Sequence, residues 1–146
     1  MSSRGLGDVY KRQAQNIVPT TSSAIGAVQK VLPWMQGRIS GDSIRVPTLN
    51  VALVDLTLKL GKTPTEVELN QLFERIAEQS NGLVGFNTEP LVSSDFIHRA
   101  ESAIVDATQA RVQGDMVHLV AWYDNEWGYA NRLLDLLAAV ADQQAT

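Results

Sequence analysis

The 146-residue chain contains no cysteine. This absence excludes a disulfide, a thiolate nucleophile and a cysteine-ligated metal within the sequence, and it suits a reducing compartment. Histidine is almost as scarce, because His98 and His118 are the only two. A metal site built from several histidines is therefore excluded. His118 lies in an apolar strand pattern and His98 in a polar loop, and we interpret both as structural residues.

Long apolar runs are also missing. The two most apolar stretches, residues 51–60 and 133–141, are interrupted by Asp55 and Asp135. Neither approaches the roughly 18 residues that a membrane-spanning helix requires, so no membrane partner is expected. The sequence also lacks a Walker loop and the G-x-G-x-x-G and G-x-S-x-G motifs. Generic motifs therefore identify no active site.

Positive charge is concentrated at the N-terminus. The net charge at pH 7 is −4, yet residues 1–13 carry three basic side chains against one acidic one. The remaining chain is acidic, which argues against a nucleic-acid partner. The segment GDVYKRQ resembles the translated end of a sequencing adapter, so residues 1–13 are interpreted as a disordered cloning or adapter scar. A natural disordered arm is the alternative, and residues 14–146 form the domain.

The first part of that domain predicts a helix and a strand. Apolar residues at helical spacing over residues 24–31 predict a helix that is capped by Thr21 or Ser22 and ends at Gly37. The segment SIRVPTLNVALVDLTLKL, residues 43–60, then predicts a long strand, because apolar and polar residues alternate over residues 52–60. Pro47 is expected to break the strand or cause a bulge near its start.

The segment TPTEVELNQLFERIAEQSNG is the clearest local pattern. Thr63 followed by Pro64 and Glu66 predicts a capping box at the start of a helix, and Asn81 with Gly82 predicts its end. Three further segments predict short strands, the last two joined as a hairpin: SAIVDA, ARVQ and MVHLVAWY.

A final helix is predicted after Trp127. It is apolar on two flanks, so it needs more covering than a helix at the edge of a domain. Helices segregated against a largely antiparallel sheet make the fold class α+β.

Two groups of polar residues could hold a small anion. The hydroxyls of PTTSS, including Ser22 and Ser23, precede a helix start whose N–H groups favour negative charge. An ordinary helix cap is the alternative. Arg45 lies in the apolar segment SIRVPT and must find a carboxylate, a phosphate or solvent. A surface ion pair is the alternative there.

Five segments, in this order, resemble the glyceraldehyde-3-phosphate dehydrogenase family: NIVPTTSSAIGAVQKVLP, RVPTLNVALVDLTLKL, EPLVSSDF, SAIVDATQARV and WYDNEWGYANRLLDL. The resemblance covers about residues 14–142. It implies the C-terminal catalytic domain of that family, with a mixed, largely antiparallel sheet and helices packed on one face. It also implies that the final helix packs on an NAD-binding domain that this sequence lacks.

The resemblance also implies roles for individual residues. Asn125 would hydrogen-bond the nicotinamide carboxamide of NAD, or alternatively NADP, and Tyr129 would pack beside it. Arg45, Ser22 and Ser23 would bind the phosphate of a phosphorylated aldehyde or inorganic phosphate. Ser23 stands where the family usually has glycine, which affects how closely phosphate approaches the backbone. Trp122 and Trp127 are interpreted as packing residues.

The catalytic residues of the family are absent. Its nucleophilic cysteine, in an S-C-T-T-N segment, and its partner histidine would lie upstream of residue 14. The chain is therefore expected to be an inactive fragment of a cytoplasmic, NAD-dependent, phosphorylating dehydrogenase of glycolysis or gluconeogenesis that forms a homotetramer. The alternatives are a fragment of erythrose-4-phosphate dehydrogenase, which also departs from the usual Thr-Gly pair, and a non-catalytic phosphate-binding or oligomerisation remnant.

Overall fold

The computed structural model describes residues 15–144. The prediction for residues 1–13 lies outside these described residues. The chain divides into two compact units, with the boundary between Leu49 and Asn50.

The first unit contains a two-stranded antiparallel ribbon and a helix. Strand β1 (Val18–Thr20) pairs with strand β2 (Ser43–Arg45), and Val18 lies opposite Arg45. Helix α1 (Ala24–Val31) follows β1, at the position of the predicted apolar stripe. The predicted end at Gly37 was wrong. Pro33 stops the helix earlier, because proline has no N–H and disfavours helical backbone in the residue before it.

The second unit is built on a five-stranded sheet. Its strands, in chain order, are β3 (Ala52–Lys59), β4 (Val84–Asn87), β5 (Ala103–Asp106), β6 (Arg111–Gln113) and β7 (Met116–Tyr123). The central strand β7 is antiparallel to β3 along its whole length. On its other side it is antiparallel to β6 and then to β5. Only β4 and β5 are parallel, so the mixed, largely antiparallel sheet is confirmed.

Two helices accompany the sheet, α2 (Glu66–Gln79) and α3 (Asn125–Gln144). The capping box of α2 uses Thr65 and Glu68, two residues later than predicted. Both pairs fit the T-x-x-E pattern. Glu66 has another role, because its carboxylate accepts a hydrogen bond from the backbone N–H of Val112 in β6 at 3.2 Å. That bond ties the start of α2 to the short strand.

The core of the second unit lies on both faces of the sheet. On one face, Leu69 of α2 packs with Val117 and Leu119 of β7. On the other face, Phe96 packs with Ile104. Side chains alternate across a strand, so β7 contributes to both clusters. The α+β fold class is confirmed.

Strand β4 was missed in the sequence. In this strand the small and polar residues Gly85 and Asn87 are buried, whereas the apolar residues Val84 and Phe86 are only half-buried. A pattern search expects apolar side chains at those positions. Gly85 is required there because an added Cβ would lie 2.9 Å from Cγ1 of Ile104, a side chain with no exposure.

Helix α3 keeps apolar side chains on its surface. Leu134 is 64% exposed and Leu137 is 65% exposed, so within the described chain neither flank is covered. The prediction that this helix needs further covering is consistent with that exposure. Among residues 15–144, no helix is long and apolar enough to cross a membrane.

We predict that Gly85→Ala lowers the free energy of unfolding by roughly 1–3 kcal/mol, because the new methyl group overpacks against the buried Ile104 side chain. Urea denaturation measures this change. Gly61→Ala is the matched control, since an added Cβ there meets nothing within 4 Å. Equal stability of the two variants would contradict the assigned role of Gly85.

Candidate functional site

Helix α3 begins at Asn125, three residues before the predicted start, because Asp124 caps it. The Oδ1 atom of Asp124 accepts a hydrogen bond from the backbone N–H of Trp127 at 3.0 Å. The carbonyl of Asp124 accepts the first helical hydrogen bond, from Gly128 at 2.9 Å. Aspartate is among the preferred capping residues because its oxygens satisfy free N–H groups at a helix start. That preference was the sequence signal that could have identified Asp124.

The second oxygen of the same carboxylate connects two distant segments. Oδ2 accepts a hydrogen bond from Nδ2 of Asn50 at 3.0 Å and another from the backbone N–H of His98 at 2.9 Å. Asp124 is only 2% exposed. One buried carboxylate therefore joins the segment before β3, the loop before β5 and the start of α3.

These contacts determine the ionisation of Asp124. Burial alone would raise the pKa of this carboxyl group, because it disfavours the charged form. Hydrogen bonds from the backbone N–H groups of Trp127, His98 and Glu126 and from the Asn50 amide favour the charged form, and they hold the pKa below its ordinary value. Asp124 therefore acts as an ionised acceptor at neutral pH.

An open groove of about 400 Å³ lies at the start of α3. Its lining residues are Ser102, Tyr123, Asp124, Asn125, Gly128, Tyr129 and Arg132. The groove thus brings together both residues predicted to contact the cofactor, Asn125 and Tyr129. They are four residues apart on one helix, so their side chains lie on the same face, and both are exposed.

Gly128 allows α3 to approach the neighbouring loop closely. A Cβ at this position would lie 3.1 Å from the carbonyl oxygen of Glu101. The wall of the groove is therefore formed partly by backbone.

Arg132 lines the groove, and an Arg99–Glu101 ion pair lies in the loop before Ser102. Arg132 contacts the hydroxyl of Ser102 at 3.3 Å and forms an ion pair with Asp135 at 2.8 Å. A hydrogen bond from Arg99 holds the pKa of Glu101 below its ordinary value, although burial opposes this shift. The sequence patterns pointed to neither Ser102 nor Arg132 as a groove residue.

The two tryptophans contact protein groups. Trp122 donates its indole N–H to Oδ2 of Asp106 at 2.9 Å, and its ring stacks on Phe96 with centroids 5.1 Å apart. Trp127 lies against the ring of His98, with centroids 4.8 Å apart. Both contacts agree with the interpretation of these residues as packing residues.

The predicted phosphate-binding residues lie in the first unit. The Ser22 hydroxyl accepts a hydrogen bond from the N–H of Ala24 at 3.1 Å. The predicted cap at Thr21 or Ser22 was wrong, because the helix begins after Ser23, which makes no side-chain capping bond. Ser23 has a φ of −79°, which any residue adopts, so the backbone there does not require glycine. Arg45 is exposed and takes part in none of the ion pairs within residues 15–144. In that part of the chain no hydrogen bond joins it to either serine.

Residues 8–125 match the family model described as glyceraldehyde 3-phosphate dehydrogenase, C-terminal domain. The chain belongs to the glyceraldehyde 3-phosphate dehydrogenase family. Its match to that family begins within the segment interpreted as a scar and ends at Asn125, so Tyr129 lies beyond it.

Individual relatives extend the comparison to nearly the whole chain. Glyceraldehyde-3-phosphate dehydrogenase of Pseudomonas aeruginosa is 42% identical over 145 residues, which cover 94% of this chain and 43% of that protein. The chromosomal enzyme of Cupriavidus necator is 42% identical over 144 residues, covering 93% and 43%. Glyceraldehyde-3-phosphate dehydrogenase 1 of Bacillus cereus is 45% identical over 127 residues, covering 86% and 38%. The chain thus spans less than half the length of these glyceraldehyde-3-phosphate dehydrogenases.

The polar groups of the groove include a free side-chain amide and no cluster of metal ligands among residues 15–144. In the described part of the chain, no group of three or more histidine, aspartate or glutamate side chains is placed to hold a metal ion. The Asn125 side chain carries an amide with both a donor and an acceptor, and no hydrogen bond within residues 15–144 engages it. Such an amide can pair with the carboxamide of a ligand.

We predict that Asp124→Asn lowers the free energy of unfolding at pH 7 by roughly 1–3 kcal/mol, because an amide cannot accept all of these hydrogen bonds. The pKa of Asp124 is lower in the folded chain, so its stabilisation is complete above the unfolded-state value of about 3.9. That stabilisation is lost as the pH falls through the lower, folded-state pKa. As the pH falls from about 7 to about 3, the free energy of unfolding should therefore decrease less in the variant than in the parent.

The free energy of unfolding, measured in urea at several pH values between about 3 and 7, tests this expectation. The free-energy difference between parent and variant should shrink below about pH 4. A difference that stays constant over the whole range would contradict the role assigned to the Asp124 carboxylate.

Proposed function

We propose that this chain is the catalytic domain of an NAD-dependent, phosphorylating glyceraldehyde-3-phosphate dehydrogenase of glycolysis or gluconeogenesis. In this proposal Asn125 and Tyr129 hold the nicotinamide end of the cofactor. The single observation that carries it is the groove at the start of α3, which contains both side chains. The enzyme names of the relatives support the same activity.

The groove residues suit a planar amide ligand. The exposed Asn125 amide would donate to and accept from the nicotinamide carboxamide, which fixes the orientation of the ring. Tyr129 would pack beside the ring and help to exclude water. When bound, NAD supplies the hydride acceptor, and the protein contributes binding and orientation. NADP is the alternative nucleotide.

Phosphate binding is assigned to the first unit. Arg45 is exposed and has no carboxylate partner among the described residues, so its guanidinium is available for a bidentate contact with phosphate. The Ser22 and Ser23 segment leads into the eight-residue helix α1, whose first N–H groups favour an anion. The ordinary backbone at Ser23 supports the view that serine replaces glycine there without distorting the site.

The remaining catalytic machinery is assigned to a preceding NAD-binding part. This chain has no cysteine, so the family's thiol nucleophile must come from elsewhere. The exposed leucines of α3 form an apolar surface that would pack on that part. The complete enzyme would be a cytoplasmic homotetramer. The names of the relatives favour glyceraldehyde 3-phosphate over erythrose 4-phosphate as substrate.

We predict that the purified 146-residue chain does not reduce NAD with any phosphorylated aldehyde, because it lacks the nucleophile on which covalent catalysis depends. Absorbance of reduced nicotinamide measures this. The Pseudomonas aeruginosa relative assayed alongside is the positive control. Aldehyde-dependent reduction that survives repurification would contradict the assignment of catalysis to another part.

A fused chain tests the two binding assignments. Residues 14–146 are joined to the preceding part of the Pseudomonas aeruginosa relative. We predict that Arg45→Ala lowers kcat/KM for the phosphorylated aldehyde roughly ten- to hundredfold, because a charge-assisted hydrogen bond contributes about 1.5–3 kcal/mol and about 1.4 kcal/mol is tenfold. The KM for NAD should stay nearly unchanged. Asn125→Ala should instead raise the KM for NAD first.

Arg38→Ala is the matched control, because Arg38 is another exposed arginine of the first unit. It should leave both kinetic constants near the parent values. If Arg45→Ala lowers the cooperativity of unfolding while the folded fraction keeps the parent kinetics, Arg45 is a structural residue and its assignment to phosphate is wrong.

A further inference from the structure

We propose that Asp124 is a positioning residue for the nicotinamide site and that it acts through Asn125 and Tyr129. This inference rests on the proposed function, and it assigns to a buried carboxylate the task of orienting side chains that the ligand touches. The observation behind it is that one side chain bonds the helix start and both segments beside it.

The first step is the fixing of the helix start. Oδ1 of Asp124 holds the N–H of Trp127 at 3.0 Å, which lies between Asn125 and Tyr129 in the first turn. Helix ends fray when their N–H groups lack partners. A capped first turn therefore limits the directions in which both groove side chains can point.

The second step is the connection of that turn to the rest of the unit. Oδ2 binds Asn50 and the backbone of His98. His98 has a φ of 62°, and Val51, which follows Asn50, has a φ of 72°. Left-handed backbone is unusual for non-glycine residues, and for a β-branched residue it is strained. Strain of this kind persists only where surrounding contacts hold it, and it is frequent at functional sites.

The third step is the requirement for a carboxylate. Every hydrogen-bonding group assigned to Asp124 is a donor, and an ionised carboxylate is a pure acceptor. An asparagine at this position would place an N–H₂ group against an N–H group in either orientation. The isosteric amide therefore breaks one half of the network while it keeps the shape of the side chain.

Asp106 provides a matched control within the same sheet. It is also 2% exposed, and its carboxylate accepts hydrogen bonds from Trp122 and Thr108. It does not line the groove. Asp106→Asn therefore reports what the loss of a buried carboxylate does to stability alone.

The experiment uses the fused chain and compares Asp124→Asn, Asp106→Asn, Asn125→Ala and the double variant of Asp124 and Asn125. We expect Asp124→Asn to raise the KM for NAD about two- to tenfold, because a misdirected Asn125 amide loses a hydrogen bond to the cofactor. The KM for the phosphorylated aldehyde should stay near the parent value. Asp106→Asn should lower the thermal midpoint and leave the KM for NAD unchanged.

The double variant tests whether Asp124 acts through Asn125. If it does, Asp124→Asn should raise the KM for NAD much less on the Asn125→Ala background than on the parent, because the two effects are coupled. Full additivity would overturn the inference, and so would an unchanged KM for NAD in Asp124→Asn. If Asn125→Ala itself leaves the KM for NAD unchanged, the cofactor assignment in the proposed function fails instead.

Asn50→Ala keeps the inference testable if Asp124→Asn does not fold. It removes one donor to Oδ2 and leaves the cap on α3 in place. We expect it to raise the KM for NAD severalfold in the same direction. An unchanged KM for NAD in a folded Asn50→Ala chain would overturn the connection between this segment and the groove.

Discussion

The junction between β7 and α3 fixes where the final helix begins relative to the sheet. Strand β7 ends at Tyr123 and α3 begins at Asn125, so a single residue separates the central strand from the final helix. A linker this short transmits the placement of the strand to the helix. Because β7 is hydrogen-bonded to strands on both sides, the sheet determines the position of the first turn of α3.

Two buried aspartates serve this architecture in different ways. Asp106 is buried at the end of β5, where its Oδ2 accepts a hydrogen bond from the indole N–H of Trp122. Asp124 lies at the strand-to-helix junction and collects donors from three separate segments. Neither forms an ion pair with a basic side chain among residues 15–144. The charge of Asp124 is stabilised by oriented N–H groups, which cost no reorganisation once the fold has formed.

Most helices and strands of this fold could be predicted from the sequence, because an element with one buried face leaves a regular pattern of apolar residues. The apolar stripe over residues 24–31 and the alternation of β3 each follow from one buried face. The errors arose where a residue does something that periodicity does not encode. Gly85 is buried because Ile104 fills the space that its side chain would occupy. The capping role of Asp124 had a local signal that was overlooked, whereas its contacts with Asn50 and His98 could not be predicted, because those residues are distant in sequence. The placement of Asn125 and Tyr129 in one groove came from family resemblance, since no composition or spacing rule distinguishes them.

The pairing of β3 with β7 also constrains when the sheet can form. Ala52 lies opposite Tyr123, and Lys59 lies opposite Met116, so the longest ladder of the sheet joins segments separated by α2, β4, β5 and β6. A chain made from its N-terminus exposes β3 long before its partner is available. Helix α2, with its own capping box, can form from local contacts in that interval. Closing the ladder requires a large loop, and the strand that closes it is immediately followed by the cap of α3. The groove can therefore form only after the chain has been synthesised through Arg132 and the ladder has closed.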